Sequence, residues 1–176
     1  PEVPELVVLA VPASAAGRVV DEALELGVQG FITISAGAFV GDLGERVRLA
    51  GARMIGPNCL GLYDASADLR LAWGTFSAGP LGIVSQSGQL GVEIANLAAA
   101  QGIGVSRFVS VGNQADVTVQ DVLEDFVDHE ATRMVALYAE DFGDGRALIS
   151  AIAQLHAAGK PTVLFTVGGS DASREA

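Results

Sequence analysis

Cysteine is almost missing from this 176-residue sequence: Cys59 is the single one, which excludes an internal disulfide and any cysteine-rich metal cluster. Lysine occurs once, as Lys160, and histidine twice, as His129 and His156. Aromatic residues are sparse and glycine is abundant, a balance that suits close-packed α/β layers better than a loop-rich stapled scaffold. No apolar run approaches the roughly 18 residues that a membrane span requires. Positive charge is also short, with ten Lys plus Arg against twenty-one Asp plus Glu and a net charge of −11. Neither nucleic acid nor an anionic membrane is therefore an expected partner. A phosphate, if bound, has to be held by local backbone dipoles rather than by a basic field. Pro1-Glu2-Val3-Pro4 leads directly into an apolar run with no signal-peptide pattern, which points to a cytoplasmic location.

Short apolar runs alternate with helical patterns along the whole chain. Leu6 to Val11 reads as a buried strand, Ala15 to Leu26 as a helix ended by Gly27, and Phe31 to Ile34 as a second strand. Asp42 to Ala50 is a helix, and Arg53 to Ile55 begins a third strand that Gly56-Pro57 interrupts. Leu62-Tyr63 and Leu69 to Trp73 are candidate short strands, and Ser77-Ala78-Gly79-Pro80 resembles a linker. A second series follows: strands at Leu81 to Val84, Val105 to Val111, Arg133 to Tyr138 and Pro161 to Val167, with helices at Gly88 to Gln101, Thr118 to Val127 and Arg146 to Ala158. Repeated β-α-β units of this length imply parallel sheets with right-handed crossovers. The fold class is α/β, with residues 1–76 reading as the latter half of a Rossmann-type domain and residues 81–176 as a flavodoxin-like parallel-sheet domain.

Ligands of open parallel sheets bind beyond the carboxyl ends of the strands. At those positions the chain carries Val11-Pro12-Ala13-Ser14, Ser35-Ala36-Gly37, Gly56-Pro57-Asn58-Cys59, Ser85-Gln86-Ser87-Gly88, Gly112-Asn113-Gln114-Ala115-Asp116, Glu140-Asp141-Phe142-Gly143 and Gly168-Gly169-Ser170. Small residues there permit close backbone approach to a ligand, although short βα loops use the same residues for turns. The most informative stretch is Gly82-Ile83-Val84-Ser85-Gln86-Ser87-Gly88-Gln89-Leu90-Gly91, an apolar strand that passes through a small-residue turn into a long helical pattern. Backbone N–H groups converge at such a turn, and the helix dipole adds roughly half a positive charge. It is neither a Walker A loop nor a Gly-x-Gly-x-x-Gly fingerprint, and serine at a helix start is also an ordinary cap.

Gly56-Pro57-Asn58-Cys59-Leu60-Gly61, Gly82 to Gly88, Val111-Gly112-Asn113-Gln114-Ala115-Asp116, Asp128-His129-Glu130-Ala131-Thr132 and Ala136-Leu137-Tyr138-Ala139-Glu140 occur in that order. Together they resemble the NDP-forming acyl-CoA synthetases, relatives of the succinyl-CoA synthetase α subunit, over essentially the whole chain. The resemblance implies a CoA-binding Rossmann domain followed by a ligase domain of flavodoxin type. It implies the reaction acid + CoA + ATP to acyl-CoA + ADP + phosphate, through an acyl phosphate and a phosphohistidine, with ATP or ADP and Mg held on a separate ATP-grasp domain or β subunit. By matching position, Ser87, Gly88 and Gln86 would bind the phosphoryl group. Glu140 would orient the phosphohistidine as the catalytic carboxylate, and Val11, Pro12, Ser35, Asn58 and Cys59 would line the CoA site. No metal site is implied within this chain.

Two departures accompany the resemblance. The family's opening glycine-rich CoA phosphate loop has no counterpart here, and the phosphohistidine is expected in a loop after Gly168-Gly169-Ser170, where no histidine stands. His129 and His156 are at other positions and read as surface residues, and Cys59 reads as a small packing residue rather than a nucleophile. An enzyme portion that associates with its complementary segment or self-associates is the leading expectation. The alternative is a non-catalytic acyl-CoA or CoA-sensing module of a protein acetyltransferase fusion.

Overall fold

The computed structural model describes residues 2–37 and 42–167. The first segment contains β1 (Leu6–Leu9), α1 (Ala13–Glu25), β2 (Gly30–Thr33), α2 (Leu43–Leu49) and β3 (Arg53–Ile55). Its three strands form a parallel sheet in the order β1-β2-β3, with Leu6 opposite Gly30 and Gly30 opposite Arg53. Helix α1 buries Ala16, Val20 and Ala23, one stripe at helical spacing, against Phe31, Val47 and Met54.

The remaining elements are β4 (Gly61–Asp64), β5 (Leu69–Arg70), β6 (Ala78–Ser85), α3 (Gly88–Ala100), β7 (Val105–Ser110), α4 (Val119–Asp128), β8 (Met134–Ala139), α5 (Gly145–Ala157) and β9 (Thr162–Thr166). They build a six-stranded sheet in the order β5-β4-β7-β6-β8-β9. Strands β7, β6, β8 and β9 are parallel, as the repeated β-α-β pattern requires. Both faces of the central strands β6, β7 and β8 are covered, which accounts for their nearly unbroken apolar runs. On one face, Val122, Leu123 and Phe126 of α4 and Leu148, Ala151 and Leu155 of α5 pack on Val84, Val109 and Leu137. On the other, Ala95 of α3 packs with Ile83 and Phe108.

The short strands β4 and β5 depart from the sequence pattern, which groups them with the first segment. They lie in the six-stranded sheet, with β4 antiparallel to β7 so that Gly61 faces Ser110 and Asp64 faces Arg107. The physical reason is the edge of β7, whose apolar run would otherwise remain unpaired; β4 satisfies it and buries Tyr63 against Phe76, with ring centroids 4.9 Å apart. Residues 77–80 are likewise no open linker. Ser77 O accepts from Val105 N at 2.7 Å, and a Cβ on Gly79 would lie 2.4 Å from Gly104 Cα, so two glycines let the start of β6 pass close to β7.

A backbone strap joins the two sheets. Asn113 N donates to Pro57 O (2.9 Å), Ala115 N to Gly56 O (3.0 Å) and Val117 N to Met54 O (3.0 Å). The Asp116 carboxylate, 1 % exposed, accepts from Met54 N at 2.7 Å and from Arg53 Nε at 3.0 Å. The strap brings the carboxyl ends of β2, β3, β6, β7 and β8 around one cleft. At the far edge of the six-stranded sheet, β9 exposes Val163, Leu164 and Phe165. Among the described residues, no helix is long and apolar enough to cross a membrane.

Candidate active site in the cleft between the two sheets

The cleft has a volume of about 610 Å³ and draws its walls from both segments. Ile34, Asn58, Cys59 and Leu60 line one side, and residues 86–89, 112–114 and 140–141 line the other. Among the described residues, neither lysine nor arginine lines the cleft, so the donors on offer there to an anion are backbone N–H groups and side-chain amides.

Helix α3 points its N-terminus into this space. Ser87 is the N-cap, in extended conformation, and its Oγ accepts from Leu90 N at a long 3.4 Å. The first turn carries no acidic side chain. Among the described residues, no acceptor approaches the N–H groups of Ser87, Gly88 or Gln89. Such donors, together with the dipole of a 13-residue helix, form an anion-competent surface. The absent side chain of Gly88 serves packing: a Cβ there would sit 2.3 Å from Leu60 Cγ. Glycine therefore lets the helix start press against the loop after β3, and the space freed is Leu60's rather than a ligand's.

Gln86 is bound to the opposite loop. Its N–H donates to Tyr138 O at 3.1 Å. Its side-chain Oε1 accepts from Glu140 N at 2.6 Å and Asp141 N at 2.9 Å, and its Nε2 donates to Asp141 O. Glu140 itself is exposed at the end of β8, and its Oε1 accepts from Tyr138 Oη at 2.9 Å. Burial, with the Glu140 hydrogen bond and charge, pushes the Tyr138 phenol upward, so it stays a neutral donor. Asp144 caps α5, accepting from Arg146 N and Ala147 N.

On the first-sheet side, Asn58 takes a left-handed conformation (φ 58°) after a cis Gly56-Pro57 bond, and its Nδ2 donates to Asn113 Oδ1 at 3.2 Å. Gly112 (φ 54°) faces it so closely that a Cβ would lie 2.2 Å from Pro57 O. The Cys59 thiol turns inward and donates to Thr33 O at 3.3 Å. Burial pushes it up, so it is a protonated packing group. Ser35 is buried, and its Oγ accepts from Val11 N at 3.0 Å while donating back to Val11 O. It ties the end of β1 to the end of β2 and leaves Val11 and Pro12 at the start of α1, beside the cleft rather than in its wall. Helix α1 has no side-chain cap at Pro12, and among the described residues the N–H groups of Ala13 and Ser14 meet no acceptor.

The structure corrects the reading of His129 as a surface residue. Its ring is 10 % exposed, with Nδ1 2.8 Å from Thr132 Oγ1 and Nε2 3.2 Å from Ser66 Oγ, at the opposite end of the sheet from the cleft. His156 is exposed near the end of α5. The Gly168-Gly169-Ser170 loop lies outside the described residues. Sequence reasoning passed over Tyr138 as a site residue; the period of two along a strand, which sets Tyr138 on the same side as Glu140, is the signal that marks it.

Residues 78–176 match the model of the succinyl-CoA ligase like flavodoxin domain, and residues 1–65 match that of a CoA binding domain. The chain is 34% identical over 189 residues to the acetate–CoA ligase (ADP-forming) I subunit alpha of Pyrococcus furiosus, covering 100% of this chain and 40% of that relative. Among solved structures, the apo acetyl-coenzyme A synthetase 1 of Ca. Korarchaeum cryptofilum superposes with a TM-score of 0.91 at 28% identity, covering 99% of this chain and 40% of that one. The same protein in complex with phosphate and ADP gives 0.90 at 29% identity, again covering 99% and 40%. The chain thus spans about 40% of the length of these relatives.

Proposed function

The chain belongs to the family of NDP-forming acyl-CoA synthetases with a succinyl-CoA-ligase-like domain, and from that premise we propose that it is the CoA-binding and phosphoryl-relay portion of such an enzyme. The overall reaction joins an acid to CoA while ATP becomes ADP and phosphate. One observation carries the reading: the N–H groups at the start of α3, which meet no acceptor among the described residues, and the carboxylate of Glu140 line the same cleft, which both sheets share.

A transferring phosphoryl group spreads negative charge over its oxygens, and donors already aimed at that charge stabilise it without reorganisation. Ser87, Gly88 and Gln89 supply such donors from the main chain. Glu140, held by Tyr138, offers a carboxylate that accepts from the free ring nitrogen of a histidine and so orients the other nitrogen toward phosphorus. Neither His129 nor His156 reaches the cleft, so another segment of the complete enzyme brings that histidine. Likeness to a structure that holds phosphate and ADP supports the anion site.

CoA supplies the thiol that captures the acyl group. The uncapped N-terminus of α1 at Val11 and Pro12, and Asn58 at the cleft, are the groups that fit its phosphates and its pantetheine arm; Ser35 holds the first of these loops in place. Cys59 packs beneath them. Nucleotide and Mg belong to an ATP-grasp domain or β subunit. The open edges β1 and β9 suit association with further segments in a larger, oligomeric, cytoplasmic enzyme. Similarity to named ligases sets aside the alternative of an acyl-CoA-sensing module.

Acyl-CoA formation by the complete enzyme, measured with acid, CoA and ATP together with ADP release, tests the reading. Glu140→Gln should lower kcat by about a hundredfold, the scale of losing one preorganised electrostatic group. A complete enzyme that forms no thioester, or a Glu140→Gln variant at the parent rate, would remove its basis.

A further inference from the structure

We infer that the side chain of Gln86 is a positioning residue, a splint that fixes the main chain of Glu140 against the N-terminus of α3; the inference rests on the reading of Glu140 given above. Strands β6 and β8 are direct neighbours, with Ser85 opposite Tyr138, so the loops that leave them must be set relative to each other. Main-chain bonding ends at Gln86 N to Tyr138 O. Beyond it, the Gln86 amide continues the ladder: Oε1 accepts from both Glu140 N and Asp141 N, and Nε2 donates to Asp141 O.

Only a side-chain amide meets this demand. A carboxylate lacks the donor, an ammonium lacks the acceptor, and a hydroxyl is too short. The orientation of the amide follows from its partners, because two converging N–H groups require an oxygen. Glu140 therefore has its backbone fixed by Gln86 and its carboxylate fixed by Tyr138. With its oxygen and one donor engaged on the loop, Gln86 acts on the phosphoryl site through Glu140 rather than as a direct ligand.

The test uses the complete enzyme with Gln86→Met, which keeps length and removes all three bonds, and Gln86→Glu, which keeps the acceptor alone. Gln86→Met should lower kcat about tenfold to a hundredfold, the scale of a small misplacement of a reacting group, with KM for acid and CoA unchanged within about twofold. Gln86→Glu should fall between Gln86→Met and the parent. Amide exchange at Glu140 and Asp141 should accelerate at least about tenfold in Gln86→Met, while that of α3 stays at the parent rate. If Gln86 acts through Glu140, the double variant Gln86→Met/Glu140→Gln should be no slower than Glu140→Gln alone. An active parent whose Gln86→Met variant keeps kcat, keeps slow exchange at residues 140–141, or adds its full loss to that of Glu140→Gln overturns the splint alone. A parent that makes no thioester overturns the reading of the site, and the splint's catalytic role with it.

Discussion

The two ends of the six-stranded sheet treat polar groups in opposite ways. Where β6, β7 and β8 finish, main-chain donors that meet no acceptor among the described residues face an open cleft, and Glu140 is exposed. Where the same strands begin, polar groups are mutually paired, with Asp64, Ser106 and Thr132 buried. Arg107 Nε donates to Asp64 Oδ2 at 2.6 Å, and its Nη1 pairs with Asp125. Asp64 Oδ1 accepts from Ser66 N, Ser66 Oγ and Ala67 N. Burial works against ionisation of Asp64, yet these bonds and the Arg107 charge outweigh it and hold the carboxyl down at about 2. His129, Thr132 and Ser106 extend the network through hydroxyl contacts. One topology thus separates a locked end, where removal of a group leaves others unsatisfied, from a receptive end whose main-chain donors find no partner among the described residues.

The sharpest way to test that division is Lys160. Its Nζ donates to Phe126 O and Val127 O at 2.8 Å and to His129 O at 2.9 Å, so the chain's single lysine closes the carbonyl end of α4. Lys160→Met should destabilise the protein by about 3 kcal/mol, the upper range for hydrogen bonds to a charged group. Thermal denaturation should register this as a fall of roughly 6–12 °C in Tm. Phosphate affinity at the cleft, measured calorimetrically well below Tm, should stay within about twofold of the parent, since sites without shared partners act independently. A loss of affinity matching the loss of stability would mean that the two ends are coupled.

The receptive end was the more legible in sequence. Loop composition at strand ends and the run from Gly82 to Gly91 are local signals, each contained within a few adjacent residues. The locked end is non-local. Lys160 meets carbonyls 31 to 34 residues away, and His129 meets Ser66 63 residues away, separations at which single residues carry no periodic mark. The sheet that β4 and β5 join is hidden from the sequence for a related reason. Four and two residues are too short to show which sheet they join; the vacant edge of β7 sets the partner of β4, and β5 then pairs with β4. Gln86 and Gly88 show the same limit within the site itself. Their positions were readable, whereas their contacts, with the loop at 140–141 and with Leu60, needed the fold.

Gly88 gives the next effect in size and sharpens the boundary between packing and binding at the cleft. A Cβ there overlaps Leu60 Cγ at 2.3 Å, so Gly88→Ala should cost about 2 kcal/mol of stability, as overpacking of a close contact does. Because the obstruction is a side chain rather than backbone, Leu60→Ala in the same protein should return part of that loss. Urea denaturation of the two single variants and the double variant measures the coupling. Additive losses would show that the added methyl group meets something other than Leu60.

The smallest expected effect belongs to pH and separates two titrations within the locked end. Burial lowers the His129 pKa, and repulsion from Arg107 and Lys160 adds to it, while Asp64 and Asp125 pull the other way. A histidine whose folded pKa is depressed binds its proton more readily in the unfolded chain. Its contribution is therefore complete above the unfolded value of about 6.5 and declines as pH falls from there toward the folded value. Asp64 has the carboxylate sign in a lower window. Its contribution is present above the unfolded value of about 3.9 and is lost as pH falls toward its folded value of about 2. Urea midpoints measured from pH 8 down to pH 5 should thus decline modestly in the parent. His129→Gln, which keeps a neutral polar group opposite Ser66 and Thr132, should flatten that decline and leave the steeper loss below pH 4 in place. An unchanged slope between pH 6.5 and 5 in His129→Gln would show that some other group, and not the buried ring at the closed end of the sheet, carries the titration.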